Sequence, residues 1–517
     1  MHKARLFMPL AAAFALAAPA GADVTADQLW SALRAAVDEG GARLTATESR
    51  RGDRLVLSRG QIAWDDGAVL LLPDITLRET PDRAVTIDLP PRFPLVLDLP
   101  PNPADPDKLT LSVAAPDLAI TVTGLGEEAG LKVTAGSVSA SLDPFLPPPG
   151  GGGPADFFMA LALADLSLDW THDLNGPDLS ASGALRLGTA HAEVRMDLPA
   201  EDVKGSAALD LSAIEASLSA LAPADTDPAM DRLDRGEAGL AEFLALLDQG
   251  LHVKATAASG PVALTFDYPR TAEGPASLDL SLASWRSALT FDRAGLSSDS
   301  ALGALRLAFS GKAPDAPFAE GDLALTEYRA AYSVGLPGTT AGADSAPWSV
   351  LLRLTGLTVS PSLWALMDPG ALLPRDPLTL AIGLDGSYSL DPQALRPGFR
   401  MAPGAPPPIT ALTLNLTELM LSGLGVTFTG SGGMGLDFTD MTTFDGAPLP
   451  SGKLSFVTTG ANGLIDRLGR LGALTKDEIT SMRFGLMFLG RVEGDDRLVS
   501  AIEVRDKTVY LNGQKIR

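Results

Sequence analysis

The chain has 517 residues, 63 acidic against 40 basic side chains for a formal net charge of −23, and no cysteine. The acidic balance excludes nucleic acid as a partner, because phosphate binding needs a positive field, and it turns the bulk of the exterior away from anionic membrane surfaces. The missing cysteines exclude disulfide staples, thiolate zinc sites, iron–sulfur clusters and cysteine nucleophiles.

In chain order the first element is a secretory leader. His2, Lys3 and Arg5 make a basic start, Leu6 to Ala18 is an apolar run, and Ala20-Gly21-Ala22 puts small residues at the cleavage position. The run is shorter than a bilayer core demands, so residues 1–22 read as a signal peptide cleaved after Ala22, with no transmembrane segment remaining. Export without disulfides, in a chain rich in Ala, Gly, Pro and Arg, points to a Gram-negative periplasm. The 517 − 22 = 495 remaining residues are too many for one ordinary core and suggest two to four packed units or one elongated one.

A helix comes next, with Thr25 and Gln28 spaced as a capping box, Leu29, Trp30, Leu33 and Val37 on one stripe, and Gly40-Gly41 as its stop. From Ala42 to Leu142 the period changes to two, and 54–57, 84–87 and 109–113 read as strands. Later alternation is clearer. Leu166, Leu168 and Trp170 face one way and Ser167, Asp169 and Thr171 the other. Ala190, Ala192, Val194, Met196 and Leu198 alternate likewise, as do Leu278, Leu280 and Leu282, and Leu412, Leu414 and Leu416. Each segment has one dry and one wet side, which predicts antiparallel sheet.

Helical spacing recurs over Met230–Gln249, over 464–471 before Gly472, and from Thr475, which is spaced with Glu478 as a capping box. Residues 499–504 and 507–511 then read as a closing hairpin around Asp506-Lys507. The fold class is therefore mainly β with a few helices (α+β): long antiparallel, curved or sandwich-like sheets, a C-terminal helical pair and a closing hairpin. The organisation predicted is an N-terminal helix plus β region at 23–146, a Pro/Gly linker or loop at 147–154, and a β-rich middle region at 155–346 with a helix near 230–249. A C-terminal β region follows at 347–517, with its helical pair near 463–490. Gly335 to Pro347 and Pro397 to Pro408 are further loop-like stretches.

Motif scans return decoys. Gly430, Gly432 and Gly435 fit G-x-G-x-x-G but run on into strand-like sequence, with no helix N-terminus to hold a pyrophosphate, and read as a turn. Gly452-Lys453 lacks the spacing and hydroxyl of a P-loop and also reads as a turn. His172, His191 and His252 stand in no ligand spacing, no G-x-S-x-G elbow is present, and the acids at 225–234 and at Asp105 and Asp107 lack the features of an EF-hand loop. No catalytic, metal or cofactor residue is assigned.

The stretches Ile409–Asn415 and Leu421–Gly425, the turn at Asn462-Gly463, the end Leu511–Gln514, and the segments Leu363–Pro369 and Leu384–Tyr388 resemble the bacterial family called domain of unknown function 2125. The resemblance is clearest from Leu357 to Arg517. It implies an exported proteobacterial envelope protein and transfers no catalytic residue. Long one-sided amphipathic strands with sparse helices are also similar in style to AsmA-like β-groove proteins of the Gram-negative envelope, whose apolar sheet face makes a trough for acyl chains.

By that analogy the chain is a non-enzymatic protein sheltering lipid or another apolar ligand on residues of the dry faces: Leu166, Leu168, Val194, Met196, Leu278, Leu280, Leu412 and Leu414. The same residues serve equally as the core of a β-sandwich, which is the simpler account of them. A periplasmic scaffold or assembly factor binding other envelope proteins is the alternative function, and an enzyme on envelope polymers the third. Oligomeric state is left open.

Overall fold

The computed structural model describes residues 24–98, 108–142, 156–176, 178–199, 202–224, 239–271, 274–311, 320–338, 345–396 and 408–517, with 226, 230–232, 235 and 399 between them. The expected leader and the Pro/Gly stretch 147–154 lie outside the described residues, as do 339–344 and nearly all of 397–408. Most of what is described is antiparallel strand, as the alternation predicts. The chain divides into two units, one of Met1–Ala224, Ala255–Leu280 and Ser310–Pro314, the other of Asp225–Lys254, Ser281–Phe309 and Asp315–Arg517.

The first unit opens with helix α1, Ala26–Glu39, held by the Thr25–Gln28 capping box read from the sequence. Leu29, Trp30 and Val37 lie against Leu44, Leu55, Leu57, Leu77, Val85 and Val122, which come from five different strands. Leu77, Val85 and Val122 have no accessible surface at all. Polar groups fix the helix in place: the Trp30 indole N–H donates to Glu48 at 2.7 Å, the Ala26 N–H to Glu79 at 3.0 Å, and Arg50 to Asp27 and Glu79.

Beneath α1 the sheet divides and rejoins. Strand Ala42–Arg51 occupies one edge of Arg54–Trp64 over its whole length, so Val69–Leu71 and Ile75–Glu79 share the other edge. One branch continues through Val85–Asp88 and Ala119–Leu125, the other through Arg92–Asp98 and Lys108–Ala114. Both end on the same edge of Glu128–Leu142, whose other edge carries Asp156–Asp173. Leu179–Leu198, Val203–Ala222 and Val262–Arg270 follow in order. The strands on either side of 147–154 thus pair directly with each other.

The four long strands share a feature that reading them one at a time conceals. Their apolar parity slips by one residue partway along: Leu131, Val133, Ala135 then Val138, Ala140, Leu142 on the first, and Met159, Leu161, Leu163 then Leu166, Leu168, Trp170 on the second. The slips line up across the sheet at Gly136, Asp165, Gly188 and Ala213, where the ladder pairing is interrupted with no change of register on either side. Asp165 (φ 54°) and Ala213 (φ 48°) take the left-handed conformation. That conformation sets the residues before and after on opposite faces, which cancels the slip and keeps the apolar rows on one side.

The second unit is a meander through Glu320–Gly335, Ser345–Val359, Leu378–Leu390, Ile409–Gly423, Val426–Asp437, Leu449–Thr459 and Arg497–Arg505. Its described helices are α2 (Leu240–Asp248), α3 (Pro361–Met367), α4 (Ala461–Leu471) and α5 (Lys476–Leu489). Of the helix expected over Met230–Gln249, residues 230–232 and α2 are described, and Leu233 lies outside. The closing hairpin forms as read, with Asp506 (φ 48°) and Lys507 (φ 60°) making its two-residue turn.

Two turn readings are corrected. Gly430, Gly432 and Gly435 lie inside the strand Val426–Asp437, and Gly452-Lys453 inside Leu449–Thr459. Glycine is needed there for close approach: a Cβ on Gly430 would stand 2.9 Å from the Phe456 ring and 2.7 Å from Leu419.

Two outcomes follow. Alanine in the left-handed region costs about 1–2 kcal/mol, so Ala213→Gly raises stability in urea unfolding by up to about 1 kcal/mol. The same change at Ala216, an ordinary ladder position, lowers it by about 0.5–1 kcal/mol. The Ala26 N–H, then Arg50, hold the Glu79 carboxyl below its ordinary range. A depressed carboxylate contributes stability above its unfolded pKa and loses it as pH falls through the folded one. Wild type therefore melts above Glu79→Gln at neutral pH, and the gap closes below about pH 4.

Candidate apolar ligand-binding faces

Directly opposed residues of neighbouring strands point to the same side, so the ladders assemble the dry face of the first unit row by row. Val133, Leu168, Leu185 and Ala216 make one row on the α1-proximal side of the kink line. Leu142, Met159, Val194 and Ala207 make another beyond it. Leu166 opposes Ala135, and Met196 lies between Phe157 and Gly205. The expected residues Leu166, Leu168, Val194 and Met196 therefore do share a face, though in two groups. Val194 sits opposite Met159, seven residues along the strand from Leu166, or about 23 Å.

What covers this face decides what it can do. Under α1, Leu44, Leu55, Leu57, Leu77, Val85 and Val122 are buried, whereas Leu166, Leu168, Val194 and Met196 are all only half-buried, and Met159 and Leu161 are 40% exposed. Among the described residues of the strands Asp156–Asp173, Leu179–Leu198 and Val203–Ala222, only Gly205 is fully buried. A second sheet packed on this face, as in a sandwich, would bury these side chains as α1 buries Leu77 and Val85.

Aromatic rings mark two corners of the face. Trp170 lies over Gly183, where a Cβ would stand 2.4 Å from the ring, and Tyr268 lies over Gly205, where it would stand 2.3 Å away. The Trp170 indole N–H donates to His172 Nδ1 at 3.3 Å, leaving His172 Nε2–H to donate to the Gly126 carbonyl at 2.7 Å. His191 pairs instead with Asp210 at 2.7 Å, its cross-strand neighbour on the wet face.

Leu412 and Leu414 belong to the second unit. Leu412 lies between Tyr388 and Leu436, and Leu414 opposes Met434. Their face continues through Leu454 and Phe456 to Leu498 and Ile502, with Phe428 and Phe456 stacked at 5.7 Å. Leu412 and Leu414 are half-buried too. Leu278 and Leu280 stand half-buried in Ala276–Leu282.

The wet faces carry short-range polar links. Cross-strand hydroxyls pair at Thr171–Ser182 (2.8 Å), Ser287–Ser300 (2.9 Å) and Ser333–Ser349 (2.8 Å). Arg329 makes a two-point contact with Asp299, and Arg353 places two nitrogens on Glu418. Among the described residues no three His, Cys, Asp or Glu gather where they could hold a metal ion. No described helix is long and apolar enough to cross a membrane. The dry faces can remove hydrocarbon from water at about 0.8 kcal/mol per methylene, and that is the chemistry their side chains supply.

Sequence reading missed Met159, Leu161, Leu163, Leu209 and Leu211, which complete the far half of the face. The signal was present as the one-residue parity slip, but it has meaning only once the strands are aligned.

Among known proteins, the family described as an uncharacterized protein conserved in bacteria (DUF2125) matches residues 215–516, more than half of the chain. No curated protein and no solved structure matches.

Gly183→Val should lower the melting temperature by an amount corresponding to about 1–3 kcal/mol, because the Trp170 ring must leave its place over Gly183 and its hydrogen bond to His172. Intrinsic tryptophan fluorescence should shift with it. An unchanged spectrum and melt would mean that the ring does not rest on Gly183.

Proposed function

The chain belongs to the bacterial family of uncharacterized proteins DUF2125, and from that premise we propose that it is an exported periplasmic protein of the Gram-negative envelope. It works without catalysis, sheltering a lipid or another apolar ligand against the dry face of its long strands. One observation carries the reading: the apolar face stays half-buried along the three strands Asp156–Asp173, Leu179–Leu198 and Val203–Ala222, while Leu77, Val85 and Val122 under α1 are closed to water. Contiguous apolar surface of that extent on a water-exposed chain marks a site for an apolar partner.

Lipid suits the face better than a compact ligand. Its rows repeat along strands of 15 to 20 residues, and aliphatic side chains without a convergent set of polar groups favour a chain-like hydrocarbon over a molecule that must be oriented by hydrogen bonds. The leader motif supports export.

Native mass spectrometry of the mature protein, purified without detergent, tests this. Wild type should carry co-purifying lipid. Leu168→Asp should lose most of it while circular dichroism stays β-rich, and Ser182→Asp on the wet face should keep it. A wild-type chain that arrives empty and takes up no added phospholipid or fatty acid overturns the reading, and one that arrives empty but with stoichiometric protein partners moves the function to a scaffold.

A further inference from the structure

The most exposed apolar surface in the described chain lies at the C-terminal end of α5. Phe484, Met487, Phe488 and Leu489, with Val492 just beyond, are between 53% and 72% exposed. The helix has no fully buried residue, although Ile479 at its other end rests on Gly469 of α4. Its first half presents Asp477, Glu478, Thr480 and Ser481, so apolar character is concentrated in the last two turns. Among the described residues a smaller group, Tyr332, Val334 and Val350, is 42–43% exposed with Tyr332 directly opposite Val350, and single exposed apolar residues need no explanation. Five together do.

The segment is held in place at both of its ends. Asp496 accepts the N–H groups of Asn462 and Gly463, each at 2.9 Å, and so caps α4 from a distance. At the foot of α5 the Asn512 side chain donates to the Leu489 carbonyl at 3.1 Å. Gly490 lies against Leu498, where a Cβ would come within 3.2 Å of the Leu498 side chain. Leu498 shares its face with Leu454, Phe456 and Ile502. The apolar end of α5 is thus continuous with the dry face of the second unit.

Charge distinguishes the segment from the rest of the molecule. Residues 461–492 hold Arg467, Arg470, Lys476, Arg483 and Arg491 against Asp466, Asp477 and Glu478, a local balance of +2 in a chain of −23. Glu493, Asp495, Asp496 and Arg497 follow and bring 461–497 to zero, with Arg483 paired to Asp466 and Arg491 to Glu493, so the segment lacks the net negative charge of the chain as a whole.

We infer that the C-terminal half of α5 is a membrane-docking element that inserts Phe484, Met487, Phe488, Leu489 and Val492 into the surface of an anionic phospholipid bilayer. Phe, Met, Leu and Val side chains bring no hydrogen-bonding group for a protein surface to read, but they suit the boundary between headgroups and acyl chains, and basic neighbours suit anionic headgroups. At 14 residues α5 lies on a bilayer and does not cross it. The inference rests on the apolar-ligand reading for its purpose: docking here sets the bilayer beside the end of an apolar face, where a lipid can pass without entering water.

The test is flotation of the mature full-length chain with phosphatidylethanolamine vesicles containing 0 or roughly 30% phosphatidylglycerol, an anionic fraction chosen to give an appreciable surface potential. Wild type should float with the anionic vesicles, and Phe484→Ser/Phe488→Ser should float at least tenfold less with an unchanged melting temperature, since neither ring is packed. Leu168→Asp should float like wild type while losing its lipid, which separates failure of docking from failure of the ligand face. Absence of wild-type flotation overturns the inference, and so does equal flotation of the double variant. So does a wild-type dimer in sedimentation that the double variant converts to monomer, because the helix would then be covered by a second copy.

Discussion

Every part of this molecule depends on the fact that a strand turns its side chain to the other face at each step. With strands as long as 20 residues, one error of phase would carry half of an apolar row into water. The chain does contain such a slip in each of its four long strands, and tolerates it because Gly136, Asp165, Gly188 and Ala213 fall on one line across the sheet. Left-handed backbone at two of these positions takes up the slip. A slip in one strand alone would be a defect; four in register are a fold line.

The single apolar side thus maintained is treated in two ways. At the N-terminal end α1 closes it, and the burial of Leu29, Leu77, Val85 and Val122 makes an ordinary core. Further along, Leu168, Val194 and their neighbours remain half-buried. A chain without cysteine cannot hold so long a sheet with disulfides. Cohesion comes from the ladders, the cross-strand hydroxyl pairs and the two-point Arg–carboxylate contacts.

The C-terminal helical pair is organised by polar contacts from outside the helices. Asp496 stands in for a capping residue that Gly460 cannot provide. Burial alone would push its carboxyl up, but the N–H groups of Gly463 and Asn462 hold it below its ordinary range. Fixing α4 and the foot of α5 in this way leaves the apolar end of α5 projecting, since a helix held at its ends need not bury its side.

Much of this was legible in the residues. Capping boxes at Thr25 and Thr475, the helical stop at Gly472 and the Asp506-Lys507 turn are local signals, and each is where it was read. Alternation likewise determined that the chain is mostly antiparallel sheet with one dry side per strand, because that pattern involves only neighbours in sequence. The glycines at 430, 432 and 452 were misread because each answers to a close approach of the next strand, the Phe456 ring at Gly430 and backbone at Gly432 and Gly452, and not to a turn. Only the tertiary structure decided that Leu166 and Val194 stand in different rows of one face, that four parity slips coincide, and that α1 covers one stretch of apolar surface while another stays open. Those properties depend on which strands lie side by side and what lies above them, and no spacing within a strand records either.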